Sequence, residues 1–169
     1  MKINEAQKKR LEDIYSSFYN DEKIQKMKGV EMHRGSNTFL HSFQVAKLAV
    51  KRALRKRRAN LEAVLIASIL HDYYLYDWRR DRAKKKRHGR NHPYIAANNA
   101  KVDFDITDEV QKIIKSHMWP INFKEFPNTK EARIVNLADD HVALKEALTS
   151  RKYKKKRLEK TQNFIKTLF

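Results

Sequence analysis

Apolar residues recur at helical spacing along almost the whole chain, and only three glycines and three prolines interrupt its 169 residues. A chain so poor in turn residues has few places to reverse a β-hairpin, so the pattern predicts an all-α fold. The spacing predicts helices over roughly 4–19, 38–57, 61–70, 93–103, 107–118 and from near 128 onward. A weaker stretch lies at about 21–28, and a basic amphipathic helix is expected over 151–168. Asn60 is the expected N-cap of LEAVLIASIL, which is apolar on nearly every side and so reads as the buried central helix. His92 is expected at a helix cap, because Pro93 suits a first helical position. Asn128 and Glu131 have the spacing of a capping box. The stretch YYLYDWRRDRAKKKRHGRN has no clean period and is read as an irregular, partly exposed connection that could serve as a lid.

No internal repeat or low-complexity linker divides the chain, and a chain of this length can bury a core unaided. A single domain over 1–169 is expected, its core at about 33–148. There is no cysteine, so disulfides are excluded and any metal site must use imidazole and carboxylate. No apolar run reaches the 18 or so residues of a membrane span, and MKINEAQKKRLEDIY lacks a signal peptide's apolar stretch. A soluble, cytoplasmic protein with no membrane partner is expected.

Lysine and arginine number 38 against 20 acidic residues, a formal charge of +18 that favours anionic partners, nucleic acid among them. The excess lies in KRALRKRR (51–58), RRDRAKKKRHGR (79–90) and RKYKKKRLEK (151–160). Few aromatic residues interleave these runs, which also fit a solvated helix surface.

Helical phase sorts the chemistry-bearing residues. His41 shares a face with Val45, Leu48 and Arg52, and His117 extends the stripe of Val110, Ile113 and Ile114. His71 and Asp72 end the central helix. Asp139 shares a face with Val135 and Val142, whereas Asp140 is turned about 100° away. A single inward histidine is ordinarily a hydrogen-bonded core residue. Inward histidines together with a His-Asp pair, on separate helices of a cysteine-free chain, favour a metal, because neutral imidazole and carboxylate offset their burial by neutralising a cation.

The segments LHSFQVAKLAV, VLIASILHDYYLYDW and EARIVNLADDHVALKEAL, over roughly residues 33–148, resemble the HD superfamily of metal-dependent phosphohydrolases and its H…HD…D pattern. The resemblance implies an HD-domain helical bundle with the metal site between its central helices. It implies His41, His71, Asp72 and Asp139 as metal ligands, with His71 and Asp72 central to catalysis. HPYIAANNA and IIKSHMWP further resemble the binuclear branch, which includes cyclic-dinucleotide phosphodiesterases and symmetrical diadenosine-tetraphosphate hydrolases. By that resemblance His92 and His117 are ligands of a second ion, with Asp72 as the bridge; with one ion they would be hydrogen-bonded phosphate contacts. The cofactor expected is one or two divalent ions per chain: Fe, Mn, Ni, Mg or Zn. Asp140 stands where lysine is common in the family, and the GYP signature of cyclic-di-GMP enzymes is missing.

His33, His88, Arg87 and Arg90 are candidate substrate contacts, since imidazole and bidentate guanidinium both suit phosphate. The expected activity is hydrolysis of a phosphomonoester or phosphoanhydride, in a nucleotide or other small molecule, by a metal-activated water. No G-x-S-x-G or phosphate-binding glycine loop is present, so a covalent route is unsupported. The alternatives are a metal-dependent nuclease, and a non-catalytic nucleic-acid-binding module with a structural metal. Oligomeric state is not legible.

Overall fold

The computed structural model describes residues 3–32, 36–78 and 82–148, and only the backbone of 82–86. Asn4 opens α1 (Glu5–Asn20) by accepting the Gln7 amide at 2.8 Å, and the Gln7 side chain returns to the Asn4 amide, completing a capping box. Asp21 caps the single turn α2 (Glu22–Gln25), which tightens into a 3₁₀ turn over Lys26–Gly29. Asn37 caps α3 (Thr38–Ala53) by accepting the Leu40 amide at 2.8 Å. Asn60 caps α4 (Leu61–Leu70) through the Ala63 amide, as its sequence position predicts. Then follow α5 (Arg82–Phe104), α6 (Asp108–Ser116) with Thr107 as cap, and α7 (Lys130–Leu148). No strand forms among the described residues, where the only bridge pairs Glu31 with Asn37. The fold is all-α.

Helix α4 occupies the centre and packs against α3, α6, α1 and α7. Apart from Glu62 and Ile66 all its residues are buried, which is what a segment without a polar face requires. Val64, Leu65, Ile69 and Leu70 are essentially inaccessible to water, each contributing about 1.5–3 kcal/mol of burial. From α3, Phe43 meets the rings of Tyr15 at 5.1 Å and Tyr19 at 5.3 Å on α1. No described helix is long and apolar enough to cross a membrane.

Several boundaries differ from expectation. Helix α3 stops at Ala53 rather than 57, because the chain tightens through bonds from Arg55 to Arg52 and Lys56 to Ala53 and turns at Arg58, whose φ is 55°. The expected connection before Pro93 is helical from Arg82, so His92 lies within α5 and caps nothing. Arg and Lys are good helix formers. Buried Ala96, Ala97 and Ala100 anchor the later turns, so the helix needs no apolar stripe at its start. Pro93 costs α5 one amide donor without ending it. Thr129, not Asn128, caps α7 by accepting the Ala132 amide, while Glu131 leaves the helix start to accept the Asn60 amide at 3.1 Å. The expected helix over 151–168 lies outside the described residues.

Candidate metal centre

Five helices deliver side chains to one buried spot. His41 comes from the first turn of α3, where the Asn37 cap fixes the chain's entry. His71 and Asp72 leave the end of α4 through a tight turn, Tyr73 bonding back to Leu70 and Tyr74 to Asp72, with Leu75 in the left-handed region at φ 52°. Such a backbone is costly for leucine and is held by its surroundings. His92 projects from mid-α5, His117 caps the end of α6, and Asp139 projects from α7. None of the six is more than 8 % exposed, whereas Asp140 faces solvent.

Each imidazole is oriented by its Nδ1. His71 donates to the Ser68 carbonyl at 2.8 Å, His92 to the His88 carbonyl at 2.8 Å, and His117 to the Ile114 carbonyl at 2.7 Å. His41 instead sets Nδ1 against Glu146 Oε2 at 3.1 Å. With Nδ1–H committed in this way, the Nε2 atoms converge. His41 Nε2 lies 2.8 Å from Asp139 Oδ1 and 3.9 Å from Asp72 Oδ2; His71 Nε2 lies 3.4 Å from Asp72 Oδ2 and 3.6 Å from Asp139 Oδ1. The other oxygen of Asp72 faces away from these, 3.3 Å from His92 Nε2 and 3.8 Å from His117 Nε2.

This donor set fits a cation on two counts. The buried His71 Nε2 has no hydrogen-bond partner among the described residues, a state that is costly unless another ligand completes it. His92 and His117 bring their Nε2 atoms to 2.9 Å with each Nδ1 set on a carbonyl, so at most one proton lies between two nitrogens that a cation could take together. Among the described residues three combinations could hold an ion, the ligand atoms of each all within 4.8 Å of one another: His41, His71 and Asp72; His71, His117 and Asp139; and Asp72, His92 and His117.

The electrostatics reflect the crowding. Burial alone would lower the pKa of His41, but hydrogen bonds to Asp139 and Glu146 outweigh it and raise the ring to about 10. Burial would raise Asp72, yet the charges of His71 and His92 pull it well below the carboxylate range. Asp139 is likewise held low, its burial overcome by the bond to His41 and the charges of His71 and His41. His117 falls to about 3 through burial and the neighbouring imidazoles. Partial burial and the charge on Asp139 push Asp140 up.

The other candidates are placed unevenly. The His88 ring stacks on His92 at 4.4 Å and on Trp78 at 4.7 Å, and its Nδ1 lies 3.0 Å from the Tyr76 hydroxyl. Tyr74 touches both His88 and His92, so an aromatic wall flanks the cluster on the α5 side. Burial, then the nearby His92, lowers the His88 pKa to about 4 and keeps that ring neutral. Arg87 and Arg90 are exposed, and at about 100° per residue they lie on the far side of α5 from His92. The fold does not bring them to the cluster. His33 lies outside the described residues.

Two groups escaped the reading of the sequence. Glu146 is 2 % exposed and accepts from Ser36 Oγ at 3.2 Å besides facing His41. Asn136, 4 % exposed, donates its amide to the carbonyls of His117 and Trp119, both at 2.7 Å. The signal that could have found them is phase, since Asn136 and Glu146 share the face of α7 that carries Asp139.

A model of the HD domain matches residues 38–144, more than half of the chain, and spans every residue of the cluster. HD domains are typically metal-dependent hydrolases that bind divalent ions, chemistry suited to this gathering of histidine and aspartate. No curated protein and no solved structure matches the chain. By that match over its central helices, the chain belongs to the HD domain family.

Proposed function

We propose that the protein is a metal-dependent phosphohydrolase with a two-ion site, acting on a phosphomonoester or phosphoanhydride of a small molecule, a nucleotide by preference. The observation that carries this reading is the division of Asp72, whose Oδ2 faces His41 and His71 while its Oδ1 faces His92 and His117. His41, His71, Asp139 and Oδ2 of Asp72 would hold one ion; His92, His117 and Oδ1 of Asp72 would hold the other. Divalent ions supply Lewis acidity, bringing the pKa of a water toward about 7 in the case of zinc and neutralising phosphoryl oxygens.

The protein's own residues do the rest. The Nδ1 bonds to Ser68, His88 and Ile114 fix the tautomers, so each Nε2 offers a lone pair without a rotation on binding. Asp72, ionised at neutral pH, brings charge between the two halves. His88, held neutral beside Tyr76 and Trp78, offers imidazole to a phosphoryl oxygen at the rim, and the same aromatic wall suits a flat base.

The test is a phosphate-release screen of nucleotides and simple phosphomonoesters with Mn, Fe, Ni, Mg and Zn, on protein purified anaerobically and analysed for metal. Turnover that disappears in His71→Ala and Asp72→Ala supports the reading; turnover that survives both overturns it. The charge of +18 favours a second reading, a nuclease using the same residues. Cleavage of RNA or single-stranded DNA, lost in the same variants, would favour it over the small-molecule activity.

A further inference from the structure

We infer that Glu146 and Asn136 are positioning residues acting on opposite halves of the cluster, Glu146 through His41 and Asn136 through His117. This rests on the two-ion reading above. Helix α7 carries three buried polar side chains on one face, Asn136, Asp139 and Glu146, and a polar group in that position must be paired to be tolerated. Asp139 reaches the cluster itself. The other two reach groups that hold it.

The four histidines are not held alike. His71, His92 and His117 each give Nδ1 to a carbonyl three or four residues earlier in their own segment, so their orientation is a local property of α4, α5 and α6. His41 alone gives Nδ1 to a side chain from another helix, 105 positions away, at 3.1 Å. Ser36 Oγ steadies that carboxylate at 3.2 Å. A carboxylate behind an imidazole fixes its tautomer and strengthens the opposite nitrogen as a ligand. Glu146 therefore aims His41 Nε2 at Asp139 and makes it the better donor.

His117 has its ring set locally, but its backbone belongs to the last turn of α6, where few helical bonds remain. The two bonds from Asn136, each 2.7 Å, tie the carbonyls of His117 and Trp119 to α7. One helix thus supplies a carboxylate to the cluster and fixes how far the α3 histidine and the α6 histidine stand from it.

The experiment measures stoichiometry by metal analysis and affinity by chelator competition, using Zn(II) and Mn(II) as probes, in wild type, Glu146→Gln, Glu146→Asp and Asn136→Ala. Wild type that binds neither metal overturns the metal reading as a whole. Given binding in wild type, Glu146→Gln is expected to weaken one ion by roughly 10–100-fold and leave the other unchanged. Glu146→Asp, which keeps the carboxylate, should recover part of that loss. Asn136→Ala should show the mirror pattern, weakening the ion that Glu146→Gln spares. In the zinc-loaded protein the His41 Nδ1–H proton resonance should move upfield in Glu146→Gln and stay in place in Asn136→Ala. If Glu146→Gln fails to fold, Glu146→Asp carries the comparison, with a smaller loss at the same ion. Unchanged affinities in a folded Glu146 variant, or the same ion weakened in both series, would overturn the inference while leaving the metal reading standing.

Discussion

The Nε2 atoms of His92 and His117 stand 2.9 Å apart while the Nδ1 of each ring is set against a backbone carbonyl of its own segment. At most one proton fits between them, and a cation in its place would take both nitrogens as ligands. Metal loading should therefore stabilise the fold. At free Zn(II) or Mn(II) a hundredfold above Kd the gain is about 2.7 kcal/mol, or roughly 5–11 °C in Tm for a chain of this size. Calorimetry with each metal and with chelator checks it; equal melting in both states would contradict the prediction.

Asp72 serves both halves and Asp139 one, so the two carboxylates should differ in effect. Asp72→Asn is expected to disturb both ions and Asp139→Asn only the one near His41. Each should reduce hydrolysis by more than the roughly 10–100-fold typical of removing an outer partner. Metal content per chain and initial rates, measured on the same preparations, separate the two.

Asp103, near the end of α5, lies 2.7 Å from Lys23 Nζ and 2.8 Å from the Tyr73 hydroxyl. The bond from Lys23, then that from Tyr73, holds its carboxyl below the ordinary 3.8. A folded carboxyl that releases its proton more readily than in the unfolded chain stabilises the fold above that ordinary value, and this contribution is lost as pH falls below it. Asp103→Asn should cost stability at pH 7 and little at pH 3. Urea unfolding at the two pH values reads the difference, and equal losses at both would contradict it.

Phe43 is fully buried between Tyr15, Tyr19 and Phe39, two residues from His41. Phe43→Ala should destabilise the protein by about 3–5 kcal/mol, the cost of an unfilled aromatic site. Chemical denaturation measures it, and a loss below about 1 kcal/mol would show that α1 does not lean on this ring.

How legible these features were in the sequence depended on the range of the forces behind them. Asn60 acts on an amide three residues away, and α4 has no polar face to expose, so that cap and the central helix could be read directly. The start of α5 could not. Its basic turns carry no apolar period, and Pro93, a plausible first residue, sits in mid-helix because buried Ala96, Ala97 and Ala100 anchor the turns that follow. The inward phase of His41, His117 and Asp139 was visible one helix at a time. Glu146 looked like any helix-forming glutamate.

The sequence by itself determined an all-α chain and the inward phase of His41, His117 and Asp139, because periodicity and capping are settled within about four residues; the full set of six came only with the resemblance to the HD superfamily. Only the tertiary structure decided their partners. Asp139 and Glu146 meet His41 across 98 and 105 positions, Asp72 turns one oxygen to each pair of rings, and Arg87 and Arg90 face away. Such pairings follow from how α3, α4, α5, α6 and α7 are packed together, and no short-range rule of the chain encodes that placement.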